Sequence, residues 1–191
     1  MNTIFVYVAD FLVISFFLMR YVSGQKWGHA TKAKSLKEFL SKEFMMVLLV
    51  CLIFLQHLRI YYPLGFNFST LLLVASILIS SFGILTCYMT RVARSKTWSR
   101  FCEEPTNHKL TTSGVHKISR HPYYLGVILW ALGISILYSN ILIIGLAIIW
   151  TIIAIVVAKK EEKFLEVEFG EEWISYKKRT PFLVGVRSML S

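Results

Sequence analysis

From Arg120 to Lys159 the chain reads RHPYYLGVILWALGISILYSNILIIGLAIIWTIIAIVVAK, and no Asp, Glu, Lys or Arg falls among the 38 residues between those two cations. As one helix this stretch would be about 57 Å long, against about 30 Å for the hydrocarbon core of a bilayer. It has to fold back, and Tyr138-Ser139-Asn140 is the polar interruption at which a tight helical hairpin can turn. Two spans result, Tyr123 to Tyr138 and Ile141 to Ala158.

The same reading extends toward the N-terminus. A second uncharged gap runs from Arg59 to Arg91, and Pro63, Gly65 and Asn67 break it. This leaves one span from Phe44 to Tyr62 and another from Phe68 to Thr90. The run from Thr3 to Met19 lacks a preceding basic stretch and a small-residue cleavage site, so it reads as a retained span and not a signal peptide. Of the 21 Lys and Arg residues, all but Arg59 fall in three segments: Arg20 to Lys42, Arg91 to Arg120, and Lys159 onward. A count of about five spans puts all three on one side, which the positive-inside rule makes the cytoplasm. The expected fold is an all-α integral membrane protein of about five transmembrane helices, with its N-terminus outside and its C-terminus cytoplasmic. Lys159 to Lys178 suits a helix that leaves the membrane and lies on its cytoplasmic surface, with Gly170 as a point of interruption. Residues 1–100 are expected to form helices 1–3 with a basic loop, and residues 101–191 a functional core.

Composition agrees. Of 191 residues, 55% are hydrophobic and 17% charged, and the mean hydropathy of +0.59 is more than a soluble domain of this size can hide from water. The net charge of +10 is distributed between apolar blocks and not gathered into one patch, which argues against nucleic acid as a partner. Cys51, Cys87 and Cys102 have no metal-ligand spacing, and no histidine pair has that of a helical metal site. No metal is expected. His57 and Arg59 read as interfacial residues, and His29 as a loop residue.

Two polar groupings call for an explanation. Arg120, His121, Tyr123 and Tyr124 surround Pro122, which suits the first turn of a helix. Free backbone donors and the helix dipole there favour an anionic ligand group; an interfacial anchor is the alternative. Glu161 and Glu162 close the last span at the level where Arg120 and His121 open the previous one, as a salt bridge between the hairpin's feet or as part of a ligand site. Together the two groupings suit a zwitterionic molecule carrying an aromatic base. Asp10 is an intramembrane charge that is protonated, faces other helices, or reaches water near an interface.

The ordered elements Leu110-Thr111-Thr112-Ser113-Gly114-Val115-His116, Arg120-His121-Pro122-Tyr123-Tyr124-Leu125-Gly126, Glu161-Glu162 and Phe169-Gly170-Glu171-Glu172-Trp173-Ile174-Ser175-Tyr176 resemble the isoprenylcysteine carboxyl methyltransferase family and the related phospholipid methyltransferases. The resemblance implies an S-adenosylmethionine-dependent membrane methyltransferase with its cofactor held by His108, Lys109, Leu110, Thr111, His116, His121, Pro122, Tyr123, Tyr124 and Glu161. His116 stands where that family commonly has Tyr. Val157 stands where the prenylcysteine enzymes carry an Arg that meets the substrate carboxylate, so Val157 and Lys160 are the residues expected to face the substrate. Arg120 and Glu162 are the candidate catalytic groups. The implied partner is a lipid or lipid-modified substrate drawn from the bilayer. Phospholipid N-methylation, thiol methylation, an NADPH-dependent membrane reductase and a non-catalytic relative remain alternatives. The short loops suggest a prokaryotic plasma membrane.

Overall fold

The computed structural model describes residues 3–26, 50–51, 53–54, 57, 68–94 and 110–183, and the elements among them are helices. They are α1 (Thr3–Lys26), α2 (Thr70–Arg94), a 3-10 turn at Gly114–Lys117, α3 (Pro122–Tyr138) and α4 (Ile141–Arg179). Val50, Cys51, Ile53, Phe54 and His57 are also helical; the rest of the expected span from Phe44 to Tyr62 lies outside the described residues. Segments of α1, α2 and α4 are long and apolar enough to cross a bilayer. Leu71 is 81% exposed and Phe11 67%, the arrangement of side chains that meet lipid. The chain is an integral, multi-pass membrane protein with an all-α fold.

The hairpin turns where its polar residues stand. Ser139 adopts a left-handed backbone (φ 50°, ψ 40°) and closes α3 by donating its N–H to the Ile136 carbonyl. Asn140 then caps α4, its Oδ1 accepting from the Leu142 N–H at 2.9 Å, which satisfies one of the free donors of the new helix. α4 is longer than the expected span because it continues past Ala158 to Arg179. The helix expected over Lys159 to Lys178 is therefore the far part of α4, and the expected interruption at Gly170 is present within it.

α3 is the hub, packing against α1, α2 and α4. Its closest approach is to α2, along a seam of small residues. A Cβ on Gly83 would come within 2.6 Å of the Gly126 carbonyl oxygen, and one on Gly126 within 2.6 Å of Cys87 Sγ and 2.7 Å of the Gly83 carbonyl oxygen. A Cβ on Gly133 would strike Ser80 and the Ser76 backbone. In lipid, where apolar burial drives helix association only weakly, such close backbone contact is what holds two helices together. On its other side α3 presents Trp130, which stacks on Phe16 of α1 (4.1 Å between centroids, 14° between planes) and meets Trp150 of α4 edge-on at 5.7 Å. Asp10 of α1 accepts a hydrogen bond from the Tyr138 hydroxyl and lies 3.1 Å from His57 Nε2, so this acid faces other helices and ties three of them at one end of the bundle.

The seam yields a paired prediction. Gly126→Ala should destabilise the protein by about 1–3 kcal/mol through overpacking. Gly145→Ala, where nothing lies within 4 Å of the added Cβ, should stabilise it by about 0.5–1 kcal/mol through helix propensity. Thermal unfolding in detergent, followed by tryptophan fluorescence, measures both.

Candidate functional site

The site forms at the end of the bundle opposite Asp10, where α3 begins. Proline at the first position of α3 keeps the preceding residue out of the helical region, and His121 has φ −122°, ψ 57°. Its backbone N–H donates to Ser119 Oγ at 3.1 Å. Arg120 and His121 thereby turn inward, each with a side chain 2% exposed.

A charge buried that deeply has to be paired, and the polar stretch of α4 supplies the partner. Arg120 Nε donates to Glu162 Oε1 at 2.7 Å, and Nη1 donates to the carbonyls of Lys177 at 3.0 Å and Thr180 at 2.8 Å. The Arg120 backbone N–H donates to the Pro181 carbonyl at 2.9 Å. His121 Nε2 lies 3.2 Å from Glu162 Oε1, and Nδ1 3.9 Å from Glu161 Oε2. Burial pushes the Glu162 carboxyl upward, but the His121 hydrogen bond and the charge and hydrogen bond of Arg120 outweigh it and hold the group below the usual glutamate range.

Lys177 and Thr180 reach Arg120 only because α4 breaks. A straight helix would carry Lys177 about 22 Å beyond Glu162. Gly170 instead takes φ 47°, ψ −122°, a conformation that is nearly confined to glycine. The returning chain builds a second small core of Leu110, Trp173 and Tyr176, with Leu165 and Phe169 against it. The Tyr176 hydroxyl donates to the His116 carbonyl at 2.6 Å, which fixes the 3-10 turn. The Phe182 ring then lies 4.9 Å from the His121 ring and 5.8 Å from Arg120 Cζ, and its carbonyl accepts from Ser119 Oγ at 3.1 Å.

Most of the residues expected at the site come together here. His116, His121 and Pro122 are buried, Leu110 is buried in the tail core, and Thr111, Tyr123, Tyr124 and Glu161 are half-buried. The Tyr124 ring lies 5.8 Å from His121 and 6.0 Å from Tyr123. Arg120 and Glu162 pair with each other. Val157, at 39% exposure, and the exposed Lys160 lie on the outer flank of α4. His108 and Lys109 lie outside the described residues. Tyr176 and Phe182 were not among the expected site residues. The first sits in the Phe-Gly-Glu-Glu-Trp element; the second has no local signal in the sequence.

Two changes test this arrangement. Glu162→Gln leaves the buried guanidinium without its counter-charge and should cost on the order of 3 kcal/mol in unfolding measurements. Because the folded value of Glu162 is lowered, its contribution is complete above the ordinary value of about 4.3 and lost as pH falls through the folded one. Wild type should therefore lose stability on acidification from pH 5 more steeply than Glu162→Gln. Gly170→Ala should lower stability by about 1–3 kcal/mol, read from the same thermal transition.

Residues 69–172, more than half of the chain, match the family model described as phospholipid methyltransferase. The chain is 26% identical over 181 residues to protein-S-isoprenylcysteine O-methyltransferase B of Arabidopsis thaliana, covering 90% of this chain and 88% of that protein. It is 35% identical over 91 residues to the protein-S-isoprenylcysteine O-methyltransferases of Mus musculus and Homo sapiens, covering 44% of this chain and 32% of each of those. The aligned part thus spans about a third of the mammalian proteins' length. With its helical membrane architecture and the Arg120–Glu162 cluster inside the matched segment, the chain belongs to the phospholipid methyltransferase family.

Proposed function

We propose that the protein transfers a methyl group from S-adenosylmethionine to a lipid or lipid-modified acceptor, in the manner of a protein-S-isoprenylcysteine O-methyltransferase. The site faces the cytoplasm in a topology of about five spans, and residues 101–191 form the cofactor-binding unit. The single observation that carries the reading is the convergence of His121, Glu161, Tyr123 and Tyr124 at the start of α3, inside the segment matched by the family model.

The residues present fit this cofactor. Glu161 offers a carboxylate for an ammonium or ribose hydroxyls, the α3 N-terminus and His121 offer donors for a carboxylate, and Tyr123 and Tyr124 offer flat faces for a base. Trp173 Nε1 is buried with no hydrogen-bond partner among the described residues, a donor that suits a polar ligand atom. Leu110, Thr111 and His116 complete the cradle, with His108 and Lys109 supplied by the stretch before it. When bound, S-adenosylmethionine would supply a sulfonium methyl carbon open to in-line attack by an acceptor lone pair, with the C–S bond breaking to release a neutral thioether.

The protein's task is then alignment in a dry site, where proximity and orientation contribute several kcal/mol. A carboxylate acceptor is already ionised at neutral pH and needs no base. An amine acceptor must first lose a proton, and Glu162, held ionised by Arg120 and His121, is a weak base for that step. This favours the carboxylate; Arg120 and Glu162 act as positioning residues. Val157 favours the second reading, methylation of a phospholipid amine, with His121 as proton acceptor.

Binding of radiolabelled S-adenosylmethionine to the detergent-purified protein tests the assignment. Glu161→Ala and His121→Ala should each weaken binding about tenfold or more. Undiminished binding in both variants would overturn it.

A further inference from the structure

A hydrogen bond at one edge does not fix an imidazole, because the torsion that turns the ring is soft. The His121 ring makes one such bond among the described residues: Nε2 lies 3.2 Å from Glu162 Oε1, while Nδ1 stands 3.9 Å from Glu161 Oε2, beyond hydrogen-bond reach. A ring that has to meet a ligand in one orientation needs a second restraint, and side chains that touch no ligand commonly supply it.

Two rings lie against the imidazole. Tyr124, 5.8 Å away, belongs to the candidate cofactor cradle itself. Phe182 is nearer, 4.9 Å between centroids with 57° between the planes, inside the range of favourable aromatic pairs. The same ring lies beside the Arg120 guanidinium.

The place of Phe182 is itself specified. Three consecutive tail carbonyls are taken by the residues that precede α3: Thr180 accepts from Arg120 Nη1 at 2.8 Å, Pro181 from the Arg120 N–H at 2.9 Å, and Phe182 from Ser119 Oγ at 3.1 Å. The last of these bonds leads back to His121. Ser119 is fully buried, and the oxygen that donates to Phe182 also accepts from the His121 N–H at 3.1 Å, so the hydroxyl acts as donor and acceptor at once. Phe182 therefore bears on His121 twice, on the imidazole through its ring and on the backbone through the Ser119 hydroxyl.

We infer that Phe182, with Ser119, is a positioning residue of the candidate cofactor site, holding the His121 imidazole in the orientation in which it meets the ligand. The identity of that ligand rests on the methyltransferase reading, whereas the hold on the ring does not.

A double-mutant cycle on the full chain in detergent tests the inference, with binding of radiolabelled S-adenosylmethionine as one readout. Phe182→Ala should weaken binding about three- to tenfold, Ser119→Ala should weaken it in the same direction, and Phe182→Tyr, which keeps the ring, should restore it. In a His121→Ala background Phe182→Ala should have no further effect, because the group through which it acts is gone. A side chain that merely steadied the tail, or one that touched the cofactor directly, would weaken binding by the same factor in both backgrounds. Should Phe182→Ala not fold, Phe182→Leu takes its place, retaining apolar volume without the ring. The second readout needs no ligand: in NMR spectra of histidine-labelled protein, the ring signal that His121→Ala removes should shift and broaden in Phe182→Ala and stay in place in Phe182→Tyr. Undiminished binding in Phe182→Ala, equal losses in the two backgrounds, or a His121 signal that Phe182→Ala leaves unmoved would overturn the inference. Wild-type protein that does not bind S-adenosylmethionine would overturn the methyltransferase reading, and the His121 signal then decides the role of Phe182 by itself.

Discussion

The rest of the structure is arranged around one buried cation. A guanidinium removed from water must recover its lost hydration from the protein, and Arg120 recovers it from three places: the Glu162 carboxylate on α4 and the carbonyls of Lys177 and Thr180 on the returning tail. Each requirement constrains an element. α4 must emerge beside α3 so that Glu162 arrives at the right level, and the chain after Gly170 must reverse. His121, the next residue, is held by the same carboxylate, so its imidazole inherits its position from its neighbour's need for a counter-charge.

That arrangement is braced from the other side of α3. Gly83, Gly126 and Gly133 let α2 and α3 touch backbone to backbone, and this brings the end of α2, with Arg91, up to Tyr123. The aromatic row from His121 to Tyr123 thus has an acid pair at one end and a guanidinium at the other.

Much of this was legible in the chain because its causes are local. An uncharged run too long for one crossing, with Ser139 and Asn140 in its middle, dictates a hairpin, and the turn falls on those residues. Gly170 announces a break by being the residue that tolerates φ 47°. The opposition of Arg120–His121 and Glu161–Glu162 follows once the hairpin is accepted. What was not legible depends on backbone groups and on distant partners. The carbonyls of Lys177 and Thr180 carry no mark of their role in the side chains of those residues, so the extent to which Arg120 is saturated could not be foreseen. The place of Phe182 over His121 depends on how far the tail turns back. Arg91, legible only as a flanking cation, acquires a relation to the site through a seam of small residues whose pairing no periodicity reveals.

α3 is 17 residues long, about 25 Å from end to end, some 5 Å less than the hydrocarbon core of a typical bilayer. Either the leaflet is pinched at this helix, or its polar foot sits below the level at which lipid carbonyls begin. A helix that falls a full turn short of the hydrocarbon ties the depth of the Arg120–Glu162 cluster to the thickness of the bilayer around it.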